Sequence, residues 1–170
     1  NSTIAGNSGS SGAAIFIEIP DSILLVNNIF YNNGDDGLLL SDYPQPISGK
    51  IVAFNNYFSE SDGSGSLSIS RGSNNIFSNS DPFGILWDTA VMENASNYTL
   101  IDYSSAIGSG IDTVTFNGST YIAPLTDYND AARPQPVGTN PDMGAIENAL
   151  GVAAAMPAIV VCGNIADPVC

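Results

Sequence analysis

A short asparagine-rich segment recurs four times in the first half of this chain, and this repeat constrains the fold more than any other feature. Each copy has Asn, then Asn or Ser, any residue, an Ile or Phe, two further residues and a final Asn or Ser. The copies begin at intervals of 26, 28 and 19 residues, a mean of about 24, which is typical of a solenoid coil. They are residues 1–7 (NSTIAGN), 27–33 (NNIFYNN), 55–61 (NNYFSES) and 74–80 (NNIFSNS).

Apolar runs of strand length separate the copies and are bounded by turn residues. None of these runs has room for a helix. The pattern therefore predicts an all-β chain of short strands, each stacked on the equivalent strand of the next coil, with a β-sandwich as the alternative. The runs are 13–17 (AAIFI), 23–26 (ILLV), 38–40 (LLL), 51–54 (IVAF) and 66–69 (SLSI).

The constant offset between asparagine and apolar residue predicts two columns that run along the stack. One column is apolar and buried. The other is an asparagine ladder at a tight turn, because Asn accepts a left-handed backbone and its side-chain amide both donates and accepts hydrogen bonds. The apolar column comprises Ile4, Phe30, Phe58 and Phe77, and the ladder comprises Asn1, Asn27, Asn55 and Asn74.

The charge composition excludes several functions. Three basic residues stand against 17 acidic ones, and the net charge is -14, so nucleic acid is not an expected partner. Histidine is absent, which removes the commonest general base and metal ligand. The longest nearly apolar run, 150–162, is too short to span a bilayer.

Four stretches together resemble secreted, pectin-lyase-like proteins of the right-handed parallel β-helix class. The ending also resembles the choice-of-anchor C-terminal region of many bacterial surface β-helix proteins. The resemblance covers residues 1 to 148 and implies a right-handed parallel β-helix (solenoid) with a C-terminal closing segment that caps its open end. The stretches are 1–7, 74–83 (NNIFSNSDPF), 98–110 (YTLIDYSSAIGSG) and 127–147 (DYNDAARPQPVGTNPDMGAIE).

Three regions follow from this organisation. Residues 1–97 are expected to form coils of a longer solenoid, and residues 98–148 the closing segment. Residues 149–170 are expected to comprise a short linker (149–155) and a tail (157–170), which either resembles the first strand of an immunoglobulin-like module or continues as disordered linker. Cys162 and Cys170 lie in this last region, and we expect them to form a disulfide if the protein is exported.

Carboxylates offer the only candidates for a ligand site. Asp35 and Asp36 form the best pair, and Asp62 lies on a neighbouring coil. Such residues suit Ca²⁺, the one cofactor considered, or the paired acids of a glycosidase. The run Gly-Asp-Asp-Gly at 34–37 is also an ordinary polar turn, and we prefer that interpretation.

Arg133 has a structural interpretation. It is followed by two nearby prolines, which fix the backbone, and by Asp142 and Glu147 in the closing segment. A folded-back loop would let its guanidinium bind either carboxylate bidentately. No catalytic residue is assigned.

The sequence therefore predicts a non-catalytic, secreted or cell-surface β-helix segment, structural or adhesive, with glycans or surface proteins as partners and no membrane span. It is expected to continue into further domains of a longer chain. The alternative is the C-terminal part of a polysaccharide lyase or related carbohydrate-active enzyme whose active coils lie upstream.

Overall fold

A computed structural model of the chain describes residues 1–7, 15–18, 22–33, 38–41, 51–58, 73–77 and 98–155. Strands, turns and irregular backbone make up this part, and it contains no helix. The expected all-β class is therefore confirmed. Within the same residues, no helix has the length and apolar character needed to cross a membrane.

The first eight strands are short and come from the repeat copies and the apolar runs between them. Their lengths of two to four residues match runs of Ile, Leu, Val, Phe and Tyr that are interrupted by asparagine. They are β1 (Thr3–Ala5), β2 (Ile15–Glu18), β3 (Ile23–Val26), β4 (Ile29–Tyr31), β5 (Leu38–Ser41), β6 (Ile51–Phe54), β7 (Tyr57–Phe58) and β8 (Ile76–Phe77).

All pairings among these eight strands are parallel. One sheet has the order β1-β4-β7-β8, and two smaller sheets pair β2 with β5 and β3 with β6. In the register of the larger sheet, Ile4 pairs with Phe30, Phe30 with Phe58, and Phe58 with Phe77. The four residues that share an offset in the sequence thus occupy equivalent positions on adjacent strands.

The two central strands of the larger sheet, β4 and β7, are buried on both faces. Phe30 and Phe58 lie on one face, which we call the stacked face, with ring centroids 5.1 Å apart and an angle of 4° between the rings. Successive side chains of a strand point to opposite faces, so Ile29, Tyr31 and Tyr57 lie on the other face, which we call the covered face. These three side chains are also buried, and the strands are accordingly apolar at consecutive positions.

The first asparagine of each pair supplies the turn before the strand. Asn27, Asn55 and Asn74 have φ values of 54°, 53° and 60°, in the left-handed region that Asn tolerates better than most residues. The backbone N–H groups of Asn27 and Asn55 donate to Phe54 O and Ser73 O of the following coil. The asparagine turns are therefore joined through their main chains.

The first asparagines, which the sequence predicts as the side-chain ladder, form one such bond, from Asn27 Nδ2 to Asn1 Oδ1 at 3.5 Å. The continuous side-chain ladder is formed by the second asparagine of each pair. Asn56 Oδ1 accepts from the main-chain N and the Nδ2 of Asn28, at 3.0 and 2.9 Å. Asn75 Oδ1 accepts from the same two atoms of Asn56, at 3.0 and 3.1 Å. The positive φ at the first asparagine turns the second side chain along the stack, while Asn27 and Asn55 bind elsewhere.

We expect Asn56→Asp to destabilise the fold more than Asn56→Ala. The Asn56 side chain is fully buried, and its Nδ2 donates to Leu25 O and Phe54 O at 2.9 and 3.0 Å. Alanine leaves these partners unpaired, at about 1–3 kcal/mol for each buried group, while aspartate adds repulsion between oxygens. Urea unfolding measures both. Asn117→Asp, at an exposed turn with φ 48°, is the control, and an equal loss there would contradict the prediction.

The closing segment (98–148) has little regular structure. It contains one antiparallel hairpin, β9 (Thr113–Phe116) with β10 (Ser119–Ile122), joined by Asn117-Gly118. Both turn residues have positive φ, 48° and 79°, as a two-residue hairpin loop with the sequence Asn-Gly requires. The rest of the segment consists of turns and a Thr126–Ala132 bridge, so its position depends on contacts with the strands.

Candidate functional site

The closing segment runs back along the asparagine turns, from the third repeat copy to the first. Asn55 Nδ2 donates to Ser109 O at 2.8 Å. Asn27 Nδ2 donates to Ile111 O, and its Oδ1 accepts from Ile111 N, both at 2.8 Å. Further along the segment, Tyr121 OH donates to Asn1 Oδ1. The first asparagines are therefore the residues through which the coils hold the closing segment.

The same segment covers the second face of the larger sheet. Four of its side chains form one buried cluster with Ile29, Tyr31 and Tyr57 of the strands. The sequence predicts a cap on the open end of the coils, whereas these contacts lie on the flank, because the strands present apolar side chains there that the closing segment covers. The four side chains are Leu100, Ala106, Ile107 and Met143.

Glycines allow the main chain of the segment to approach the coils closely. A Cβ on Gly144 would lie 2.8 Å from Ile29 Cδ1 and 2.9 Å from Thr3 Oγ1. Gly144 also has a φ of 96°, and its N–H donates to Asn27 O at 2.8 Å. At Gly110 a Cβ would lie 2.6 Å from Pro141 O. A side chain at Gly110 or Gly144 would therefore clash with these neighbouring atoms.

Arg133 lies inside the closing segment with 5% of its surface exposed. Its Nε forms an ion pair with Glu147 Oε2 at 2.9 Å. Both terminal nitrogens donate to Gly144 O at 3.2 Å, and one also reaches Asp142 O at 3.5 Å. The guanidinium therefore pairs with one of the two predicted carboxylates, through a single nitrogen, and its remaining donors hold the main chain of the 142–144 turn.

Asp142 and Glu147 are buried and accept main-chain hydrogen bonds. Asp142 Oδ1 accepts from Gly108 N at 2.7 Å, and Oδ2 accepts from Asn148 N at 2.6 Å. Glu147 Oε1 accepts from Asp142 N at 2.8 Å. The Asp142 carboxylate thereby joins the main chain at Gly108 to the main chain at Asn148. It does not form the ion pair with Arg133 that was one of the two predicted arrangements.

Burial governs the ionisation of both carboxyl groups. It raises the pKa of Glu147 to about 7, against the opposing effects of the Asp142 N–H and of Arg133, and the charge of Asp142 adds to the rise. Burial also raises the pKa of Asp142, although the N–H groups of Asn148 and Gly108 lower it. The two carboxyls and the single guanidinium thus form one electrostatic cluster.

A tight turn beside this cluster presents apolar side chains to solvent. Asp127 Oδ1 accepts from Asn129 N and Ala131 N at 2.7 and 2.9 Å, and its Oδ2 accepts from Glu147 N at 2.9 Å. Leu125 and Tyr128 are each 81% exposed. Their main chains are fixed, because Leu125 O accepts from Arg133 N and Tyr128 N donates to Ala145 O, both at 2.9 Å.

Several candidates from the sequence lie outside the described residues. These are the carboxylates Asp35, Asp36 and Asp62 and the cysteines Cys162 and Cys170. The disulfide and the calcium ligands remain predictions. Among the residues that the structure does describe, no group of three or more His, Cys, Asp or Glu side chains has the arrangement of a metal site.

Three important residues of the closing segment were not identified from the sequence. Asp127 organises the turn before Arg133, Met143 packs in the buried cluster, and Gly144 provides the closest approach to the coils. A signal existed for Asp127, because Asp-x-Asn-Asp is typical of side-chain-stabilised turns.

Comparisons of the chain with protein-family models, with curated proteins and with solved structures found no match.

Proposed function

We propose that this chain is a non-catalytic segment of a secreted or cell-surface right-handed parallel β-helix, with a structural and adhesive role. Residues 98–148 would complete the solenoid by covering its flank. Residues 149–170 would connect it to a linker or a further module. One observation carries the proposal. The buried charged residues of the closing segment, Arg133, Asp142 and Glu147, all bind partners within that segment.

The order of strand pairing supports the β-helix. Each strand from β1 to β4 pairs with the strand three places later, which is the connectivity of a coil with three strands per turn. Parallel strands in one sheet require crossover connections, and such connections are almost always right-handed. The side-chain amide ladder of Asn28, Asn56 and Asn75 is a device suited to repeated stacking.

The contacts of the motif residues support a structural role over a catalytic one. Arg133 binds Glu147 and two carbonyl groups, and both oxygens of Asp142 accept main-chain N–H groups. A catalytic acid or base must reach a substrate, and the polar atoms of this cluster are directed at one another. Met143 and Gly144 serve the packing against Ile29.

The turn 125–128 supports an adhesive role. Leu125 and Tyr128 project from a main chain that hydrogen bonds hold in place. Binding a partner therefore does not carry the free-energy cost of ordering this backbone. Tyrosine offers both a flat apolar ring and a hydroxyl, which suits stacking on sugar rings. Surface glycans are the partner that this chemistry favours.

Incubation with a panel of acidic and neutral polysaccharides tests the proposal. We expect no new reducing ends and no unsaturated products, and we expect glycan binding to fall in Tyr128→Ser but not in Val137→Ser. Val137 is 91% exposed and lies on a different turn, so it serves as the matched control. Cleavage of any polysaccharide by the pure chain would overturn the non-catalytic assignment, and equal binding by all variants would remove the adhesive one.

A further inference from the structure

The cluster formed by Arg133, Asp142 and Glu147 holds two carboxyl groups and one guanidinium in a buried position. Asp142 and Glu147 are in direct contact, because Asp142 N donates to Glu147 Oε1 at 2.8 Å. With both carboxyls ionised, the cluster carries one uncompensated negative charge. Burying such a charge is costly, and a group in this position reduces the cost by retaining a proton.

Among the residues that the structure describes, Arg133 is the one side-chain cation that faces Glu147. Arg133 faces it at 2.9 Å, Asp142 lies beside it, and Asp127 Oδ2 accepts from its main-chain N. Asp102 is within reach of the Asn148 side chain, at 3.4 Å. On the side of the repeat copies, burial and, to a smaller extent, Arg133 lower the pKa of the Asn1 amino group to about 6. Burial raises the pKa of Tyr121, against the effect of Arg133. Among the groups of the described residues that face the cluster, acidic ones therefore exceed basic ones.

We propose that this cluster makes the closing segment a pH-dependent latch, which takes up a proton as it docks on the covered face and loosens as the pH rises. The cluster is well placed for this, because the 142–144 turn that Arg133 holds is also the turn that contacts Ile29, Thr3 and Asn27. Loss of order in the turn uncovers the flank of the larger sheet.

The direction follows from the ionisation of Glu147. Its pKa rises from 4.5 to about 7 in the folded protein, so the folded state binds more protons than the unfolded state between these values. The contribution to stability is complete below pH 4.5 and is lost as the pH rises through about 7. One proton changes the unfolding equilibrium constant by about tenfold per pH unit within this window.

The test is urea unfolding of the whole chain at several pH values between 5 and 8. From pH 5 to pH 7 we expect the unfolding constant of the wild type to increase by about tenfold or more relative to that of Glu147→Gln. The comparison is relative because the Asn1 amino group, whose pKa falls to about 6 in the folded protein, titrates in the opposite direction in both proteins. Glu147→Gln retains only the pH dependence of the remaining groups, so the comparison isolates Glu147 whatever the absolute stability of the variant. Asp130→Asn should retain the pH dependence of the wild type, because Asp130 is exposed and, with a φ of 62°, accepts asparagine, and it lowers the acidic charge equally.

A second measurement keeps the proposal testable if Glu147→Gln does not fold. Calorimetric unfolding of the wild type at pH 5, in two buffers with different ionisation enthalpies, counts the protons that are exchanged. At this pH the Asn1 amino group, with a pKa of about 6, is largely protonated in the folded protein and contributes little. Release of about one proton on unfolding is expected. If the wild type does not lose stability relative to Glu147→Gln between pH 5 and pH 7, or if no proton is released on unfolding at pH 5, the latch is overturned.

Discussion

Arg133→Ala should lower the free energy of unfolding by about 3–5 kcal/mol at neutral pH, because it leaves buried carboxyl groups without their cation. Arg133 and Glu147 have side-chain exposures of 1% and 0%, so solvent does not screen the pair. The substitution also removes the donors to Gly144 O. Thermal or urea unfolding would show the loss directly.

Arg133→Lys should restore only part of the stability. Lysine supplies a charge for Glu147, but it lacks the planar fork that reaches Glu147 and Gly144 at once. If Arg133→Ala unfolds like the wild type, the ion pair has no structural role. A well-folded Arg133→Ala protein that has lost a polysaccharide-cleaving activity of the wild type would instead place Arg133 in an active site.

Gly144→Ala should cost about 2–5 kcal/mol through two separable effects. The first is the φ of 96°, at which a residue with a Cβ is strained by about 1–2 kcal/mol. The second is overlap with Ile29 Cδ1 at 2.8 Å, and overpacking of this kind adds about 1–3 kcal/mol. The closing segment must then move away from the covered face, and urea unfolding measures the total.

Gly138→Ala separates the two effects. Gly138 has a φ of 91°, and a Cβ there would meet nothing within 4 Å, so this variant carries the backbone strain alone. The difference between the two alanine variants is therefore the steric term. Equal losses in both would show that the contact between Gly144 and Ile29 does not hold the segment in place.

The strand arrangement could largely be predicted from the sequence, because the apolar residue lies three positions after the first asparagine in each repeat copy. Equal spacing from the asparagine was enough to align Ile4, Phe30 and Phe58, which pair in the structure. The choice of ladder residue was not accessible. Two adjacent asparagines have the same donors and acceptors, and only the positive φ of the first decides that the second side chain points along the stack.

The covered face and the details of the Arg133 cluster were harder to predict. Consecutive apolar residues such as Ile29, Phe30 and Tyr31 indicate a strand buried on both sides, but they do not say what covers the second side. Asp142 and Glu147 were equivalent partners for Arg133 in the sequence. The turn at 142–144 directs one carboxylate to main-chain N–H groups and the other to the guanidinium.

The long sequence separation between the coils and the closing segment also determines when the fold can be completed. Ala145 N donates to Thr3 Oγ1 across 142 residues, and Ile111 pairs with Asn27 across 84. During synthesis, the flank that carries Ile29 and Tyr57 stays uncovered until nearly all of the described chain has left the ribosome. Contacts between distant parts of a chain form slowly, and uncovered strands invite association with other chains.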